Sequence, residues 1–337
     1  MANRSAAVLV AGSWGTALAA VLARNGCRVR LWTRNLAQAE EINVKRTNSR
    51  FLGDVTLPQG LLATASMEEA LTGAEAVVFV APSAAMREVA RAAAPYLSSS
   101  ALCLHATKGF ETGTLKRMTT VLAEELGRPE SELAVLSGPS HAEEVVRKLP
   151  TTVVVASRSL TVAQQAQDWF MNTNFRVYTN DDVTGVEVAG AIKNIIALGA
   201  GLSDGLGFGD NAKAALITRG LAEISRLGEA MGAGPLTFAG LAGVGDLIVT
   251  CTSKHSRNWR AGSLLATGLA LGEVLERMGM VVEGVRTTQA ANQLAQDYGV
   301  PMPITEQLYR VLFEGKSPQQ AVEALMGRDR THERREA

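Results

Sequence analysis

Cysteine is scarce: three residues in 337, odd in number and widely spaced, are too few for a disulfide framework. Cys27, Cys103 and Cys251 form no C-x-x-C pair and have no histidines at ligand spacing, so no metal site is expected. Net charge is also missing. The 33 basic and 33 acidic residues cancel, which removes the broad positive field that nucleic acid or an anionic membrane surface would require. Any anion must therefore be held by local geometry. No internal repeat, no cationic leader with a cleavable apolar segment and no membrane-spanning helix is legible. These absences predict a cytoplasmic protein with no nucleic-acid partner and no stable membrane insertion. Only Arg328 to Ala337 is polar enough to read as a disordered tail.

What is present is core. Apolar residues make up 47% of the chain, and its length allows about two domains. The stretch Val8-Leu9-Val10-Ala11-Gly12-Ser13-Trp14-Gly15-Thr16-Ala17-Leu18-Ala19 breaks an apolar β-branched run at glycine and restarts it as an Ala/Leu-rich segment, which reads as strand, tight turn and helix. The first backbone N–H groups of such a helix point outward unpaired, with the positive end of its dipole behind them, and suit a dinucleotide pyrophosphate. The same turn could merely pack a helix onto a sheet. After the helix, Asn25-Gly26 stops the chain and Cys27 to Trp32 reads as a second strand, which completes a dinucleotide-binding unit. In the fingerprint Gly-x-Gly-x-x-Gly, Gly12 and Gly15 hold the second and third places and Val10 holds the first. Valine is stiff at χ1 and puts branched bulk beside the place a cofactor would enter.

Strand and helix then take turns. Apolar runs at Ala76 to Val80, Ala101 to His105, Leu133 to Leu136, Thr152 to Ala156 and Phe175 to Tyr178 alternate with helical periods at Leu36 to Lys45, Ser83 to Tyr96, Thr114 to Leu126 and Ala163 to Met171, while Thr47 to Pro58 reads as a loop. This alternation predicts an α/β fold, a Rossmann-type doubly wound and largely parallel sheet, with every strand's C-terminal end opening at the same edge. From Thr184 onward only helical periods remain: Val186 to Leu202, Ala212 to Met231, Leu271 to Met278, Thr287 to Tyr298, Ile304 to Phe313 and Pro318 to Leu325. The expected division is a dinucleotide-binding domain over 1–182 and an all-helical substrate-binding and catalytic domain over 183–337.

Ligands of open α/β sheets bind beyond the strand ends, so the residues directly after strands carry extra weight. Ala106-Thr107-Lys108-Gly109 and Ser137-Gly138-Pro139-Ser140 are such stretches. Ser140-His141-Ala142-Glu143 has capping-box spacing, which makes Ser140 an expected N-cap without excluding ligand contact. Lys108 also reads as a solvated loop lysine. Lys193 lies in a segment apolar on nearly all sides. There it either loses its proton readily and serves a substrate oxygen, or snorkels to water. Downstream, Asp246 could cap a helix or hold the Lys193 ammonium, and Ser256, Arg257 and Asn258 could supply donors to a phosphate. At the end of the second strand, Thr33-Arg34-Asn35 carries no acid to repel a 2′-phosphate, and Arg34 could pair with one. NADP is therefore expected to bind at least as well as NAD.

Taken together, Gly12 to Ala19, Ser137 to Ala142, Gly190-Ala191-Ile192-Lys193-Asn194, Asp204-Gly205-Leu206-Gly207-Phe208-Gly209-Asp210-Asn211, Gly243-Val244-Gly245-Asp246-Leu247, Ser256-Arg257-Asn258 and Val281-Val282-Glu283-Gly284 resemble the bacterial NAD(P)-dependent glycerol-3-phosphate dehydrogenases over essentially the whole chain. The resemblance implies interconversion of dihydroxyacetone phosphate and sn-glycerol 3-phosphate for phospholipid synthesis, in a cytoplasmic homodimer. It makes Lys193 the proton donor and acceptor, with Lys108 and Asp246 beside it. Gly138, Ser140, Ser256, Arg257 and Asn258 would surround the substrate, and Ser13, Trp14, Arg34, Lys108, Ala142, Arg257, Val281 and Glu283 would line the cofactor site. The family pattern has glycine at Val10 and often a second basic residue at Asn35, so weaker cofactor binding and a softened NADP preference are expected. Two other readings remain: a catalytically impaired protein that binds a nucleotide or phosphometabolite, and a related hydroxy-acid dehydrogenase.

Overall fold

The computed structural model describes residues 4–330 together with 332 and 333, so part of the expected tail lies outside the described residues. Its strands are β1 (Ser5–Leu9), β2 (Arg28–Trp32), β3 (Leu61–Thr64), β4 (Ala76–Phe79), β5 (Leu102–His105), β6 (Leu133–Ser137), β7 (Thr151–Ala156) and β8 (Phe175–Asn180). They form one sheet in the order 3-2-1-4-5-6-7-8. Its helices are α1 (Ser13–Arg24), α2 (Leu36–Lys45), α3 (Ser49–Leu52), α4 (Met67–Leu71), α5 (Met86–Ala93), α6 (Met118–Leu126), α7 (Ala142–Val146) and α8 (Leu160–Phe170). Burial alternates along the strands: Ala6 and Val8 of β1 join α1 in one apolar cluster, while Ala7 and Leu9 join Phe79 and Met86 in another. Strands covered on both faces read as continuous apolar runs, which makes them legible in sequence.

Two expectations need correction. Strand β3 and the short helix α3 lie where no element or only a loop was expected, because four-residue elements carry too little periodicity to stand out. The strands do not all open at one edge: β6 pairs with β7 antiparallel, so β7 and β8 run the other way. The chain from 138 to 150 stays at the edge where β6 ends and turns back through Lys148 (φ 65°), and antiparallel neighbours need no crossover. After the sheet, Val183–Gly205 is long and apolar enough to cross a membrane by composition alone.

That segment is α9 (Val183–Gly205), the axis of everything after the sheet. The Asp182 carboxylate caps it through the Gly185 N–H at 2.8 Å and also accepts from the Gly234 N–H and the Thr237 hydroxyl. Around it lie α10 (Gly209–Ala230), α11 (Pro235–Phe238), α12 (Asp246–Thr252), α13 (Arg257–Leu265), α14 (Leu271–Met278), α15 (Glu283–Asp297), α16 (Pro303–Phe313) and α17 (Pro318–Met326). The most apolar window of α9 is 94% buried in this bundle, so packing accounts for its composition. Where α13 crosses α9 the backbones touch. A Cβ on Gly201 would fall 1.9 Å from the Trp259 carbonyl oxygen, and one on Gly262 would fall 2.0 Å from that of Leu198.

Because both obstacles are backbone atoms, Gly262→Ala must push the helices apart. We expect a loss of about 1 to 3 kcal/mol in denaturant unfolding. A variant as stable as the parent would mean that the crossing has slack.

Candidate active site

The ends of β1, β2, β4, β5 and β6 meet α9, α12, α13 and α15 around a cleft of about 1130 Å³. Of the site residues expected from sequence, Gly12, Ser13, Trp14, Gly15, Arg34, Lys108, Ser140, Ala142, Lys193, Asp246, Ser256, Arg257, Asn258, Val281 and Glu283 line it. Gly138 does not. It sits behind the wall, where its carbonyl accepts from Lys108 Nζ at 3.0 Å and from the Ser140 hydroxyl at 2.8 Å. That second bond corrects the expected cap: Ser140 turns onto Gly138, and α7 begins after His141 with no side-chain cap.

At the sheet end of the cleft, α1 starts after Gly12 with no side-chain cap, so its first N–H groups remain available to an anion. Gly12 leaves open space where a side chain would stand. Gly15 has a packing role instead, since a Cβ there would lie 2.1 Å from the Val10 carbonyl oxygen. The Trp14 indole Nε1 is buried without a partner and lines the same cleft, a donor left for a ligand. These features fit a dinucleotide. Val10 is the strained point: its φ of 86° lies in the left-handed region, which β-branched residues avoid. Arg34 is exposed and pairs with Glu88 at 2.9 Å.

At the centre, Asp246 is 1% exposed and joins two lysines. Lys108 Nζ lies 2.7 Å from its Oδ2, and Lys193 Nζ donates to its Oδ1. Lys193 also donates to the Thr250 hydroxyl at 2.7 Å. Its ammonium is buried, which excludes the snorkelling alternative, and Lys108 is bonded rather than solvated. Asp246 is presented by a wide π-type turn, Leu241–Gly245, in which Gly243 leaves helical geometry (φ −87°, ψ −105°). It lies in the first turn of α12 and spends its carboxylate on lysines, not on a cap. Burial pushes the Lys193 ammonium down to about 7, aided by Lys108 and opposed by Asp246. Burial alone would raise the Asp246 carboxyl, but Lys108 and Lys193 outweigh it and hold it below the usual range.

The third wall is the start of α13. Ser256 caps it by accepting from the Trp259 N–H at 3.2 Å. Arg257 has no carboxylate within ion-pair distance and no side-chain hydrogen bond among the described residues, so its charge is open to an incoming anion. Asn258 gives one amide hydrogen to Asn194 and accepts from the Gly284 N–H, both at 2.8 Å, which leaves its second amide hydrogen for a ligand. The Glu283 carboxylate accepts from the Ser83 backbone N–H at 3.1 Å and hydroxyl at 2.8 Å, joining the loop after β4 to α15. Asp204, from the glycine-rich motif, stands away from the cleft and holds the Trp259 indole at 2.8 Å, which anchors α13.

Sequence reasoning missed Thr250, Asn194 and Ser83. Thr250 stands four residues after Asp246 on one helix, a spacing that places it on the same face. Ser83 is 200 positions from Glu283, and no local pattern signals that contact.

Comparison with known proteins finds relatives over nearly the whole chain. Residues 5–163 match the family model described as NAD-dependent glycerol-3-phosphate dehydrogenase N-terminus, and residues 182–323 match its C-terminus counterpart. The chain is 60% identical over 327 residues to a glycerol-3-phosphate dehydrogenase [NAD(P)+] of Geobacillus thermodenitrificans, covering 97% of this chain and 95% of that one. It is 59% identical over 331 residues to the enzyme of that name from Pelotomaculum thermopropionicum, covering 98% and 95%. A crystal structure of glycerol-3-phosphate dehydrogenase from Coxiella burnetii superposes with a TM-score of 0.92 at 41% identity, covering 97% of this chain and 99% of that one.

A valine held at positive φ costs about 1 to 3 kcal/mol, and its branched side chain lines the cofactor end of the cleft. Val10→Gly is therefore expected to bind NADPH about tenfold more tightly in a fluorescence titration, without loss of thermal stability. Unchanged affinity would mean that the Val10 side chain stands clear of the bound cofactor.

Proposed function

The chain belongs to the NAD-dependent glycerol-3-phosphate dehydrogenase family, and from that membership we propose that it reduces dihydroxyacetone phosphate to sn-glycerol 3-phosphate with NADPH or NADH, to supply phospholipid synthesis. The observation that carries this reading is the buried Lys193–Asp246–Lys108 cluster, set between an uncapped helix start and the unpartnered Arg257. The alternative of a protein that only binds a nucleotide or phosphometabolite is disfavoured by the 60% identity, over 97% of the chain, to a glycerol-3-phosphate dehydrogenase.

In this reading the nicotinamide supplies the hydride when bound in the cleft. Gly12, Ser13, Trp14, Gly15, Arg34, Ala142, Val281 and Glu283, which line that cleft, would hold the cofactor. Lys193 gives its proton to the oxygen at C2 of the substrate as that oxygen becomes an alkoxide. Lys108 is the second cation beside that charge, and Asp246 keeps both ammonium groups in place. Arg257 and Asn258 take the substrate phosphate, with Ser140 and Ser256 completing the pocket and the Gly138 carbonyl holding Lys108 from behind its wall, so a very small molecule is held in register. We further propose that residues 1–182 form the dinucleotide-binding unit and 183–337 the substrate unit. The enzyme acts in the cytoplasm as a homodimer without membrane insertion.

Lys193→Ala removes the proton source but none of the residues assigned to the cofactor. Turnover of dihydroxyacetone phosphate should fall by about 10² to 10⁴ while NADPH still binds, and near-normal turnover would remove Lys193 from the catalytic role. The pH dependence has a definite sign. Ketone reduction requires the Lys193 ammonium, whose pKa is lowered to about 7, so kcat/KM for reduction should be full below that value and fall as pH rises through it. Glycerol 3-phosphate oxidation requires the neutral amine and should rise over the same window. A reduction profile flat to pH 9 would contradict the assignment.

A further inference from the structure

The sequence offers one arginine, Arg34, at the place where a 2′-phosphate would lie, and the structure qualifies its availability. Arg34 is already paired with the Glu88 carboxylate at 2.9 Å. Asn35, where the family pattern often has a second basic residue, is committed as well: it caps α2, and its side-chain oxygen accepts from the Gln38 N–H at 3.1 Å. A phosphate monoester carries nearly two negative charges, so this arrangement alone leaves it undercompensated.

A second cation reaches the same end of the cleft from a different segment. Arg50, on α3, lines it together with Arg34, Gln38 and Phe51. Its position is built, not incidental. The residue that precedes α3, Asn48, is fully buried and donates to the Ala11 carbonyl at 3.0 Å and the Thr16 hydroxyl at 2.8 Å. Gln38 Nε2 donates to that same Ala11 carbonyl at 2.7 Å and to Asn48 Oδ1 at 3.0 Å. The start of α3 is thereby pinned to the glycine turn itself. Phe51 packs on the apolar core of the sheet, and the Arg50 guanidinium lies over its ring at 5.4 Å. Among the described residues Arg50 has no carboxylate within ion-pair distance and no side-chain hydrogen bond, in contrast to Arg34.

We propose that Arg50 is the second cation of a 2′-phosphate site, acting with Arg34 to favour NADP over NAD. The guanidinium fork suits a phosphate's oxygens, and its charge is not already spent on a neighbour. The inference rests on the dinucleotide reading of the cleft. It concerns only the adenosine end, so it is tested without substrate and without turnover.

The test is a calorimetric titration of the full chain with adenosine 2′,5′-bisphosphate and, separately, with AMP. Both carry the adenosine and the 5′-phosphate, and they differ only in the 2′-phosphate. The parent should bind the bisphosphate more tightly than AMP. Arg50→Gln should weaken the bisphosphate about tenfold and leave AMP within about twofold, with a weaker dependence on salt than the parent. Arg34→Gln should weaken the bisphosphate as well, and the double variant should bind the two nucleotides alike. A bisphosphate affinity untouched by Arg50→Gln would overturn the proposal, as would equal weakening of both nucleotides, which would place Arg50 against the adenosine or the 5′-phosphate. Failure of the dehydrogenase reading would look different: the parent would show no substrate-dependent NADPH oxidation while the titrations remained readable.

Discussion

Asp246 is buried with an ammonium on each carboxylate oxygen, and the position of almost every other group in the cleft follows from that arrangement. An isolated carboxylate at such depth would cost several kcal/mol, and a single lysine partner would leave a neutral pair. Two lysines give the cluster one surplus positive charge while Lys193 is protonated, which favours the entry of an anionic ligand. Burial is what lowers the Lys193 pKa; Asp246 opposes it and Lys108 adds to it. One carboxylate thus orients a proton source and keeps a second cation beside it.

The two lysines come from different parts of the fold. Lys108 follows β5, whereas Lys193 and Asp246 belong to helices after the sheet, so the docking of these parts sets the chemistry. Other buried contacts hold that docking. Glu187 of α9 accepts from the Thr119 N–H at 2.8 Å, pairs with Arg117, and lies 3.1 Å from His105 at the end of β5. Gly190 lets α9 approach the end of β6, since a Cβ there would lie 2.9 Å from Ser137 Oγ. On the other side, Gly201 and Gly262 bring α13 into backbone contact with α9, and Asp204 ties down Trp259, so that Arg257 and Asn258 face Lys193.

The cofactor end follows a different logic. There the backbone itself is the binding surface, and the constraint is how closely α1 approaches the end of β1. Gly15 permits that approach, with the Val10 carbonyl directly beneath it. Val10 must then take a backbone conformation suited to glycine, and the strain is confined to one residue because the sheet on one side and α1 on the other leave it no alternative. The tight turn survives the valine because neighbouring hydrogen bonds, such as Val10 N–H to the Trp32 carbonyl at 3.1 Å, outweigh one unfavourable φ.

Much of this was legible in the chain itself. Apolar runs alternating with helical periods reveal the sheet and its helices, because strands buried on both faces and amphipathic helices each carry their own period. The isolation of Lys193 in an apolar helix marks it as unusual, since ionisable groups are rarely placed there without a partner. Spacing does not name that partner. Asp246 and Thr250 lie more than fifty positions from Lys193, Glu283 meets Ser83 across two hundred, and Arg50 joins Arg34 only because Asn48 folds its segment onto the glycine turn. The reversal of β7 and β8 was hidden too, because a strand's apolar pattern is the same in either direction. Periodicity and residue type act between neighbours along the chain, and they determined which elements form and which side chains could do chemistry. Which of those side chains meet, how deeply they are buried and what charge they keep depend on contacts between distant segments, and those only the tertiary structure decided.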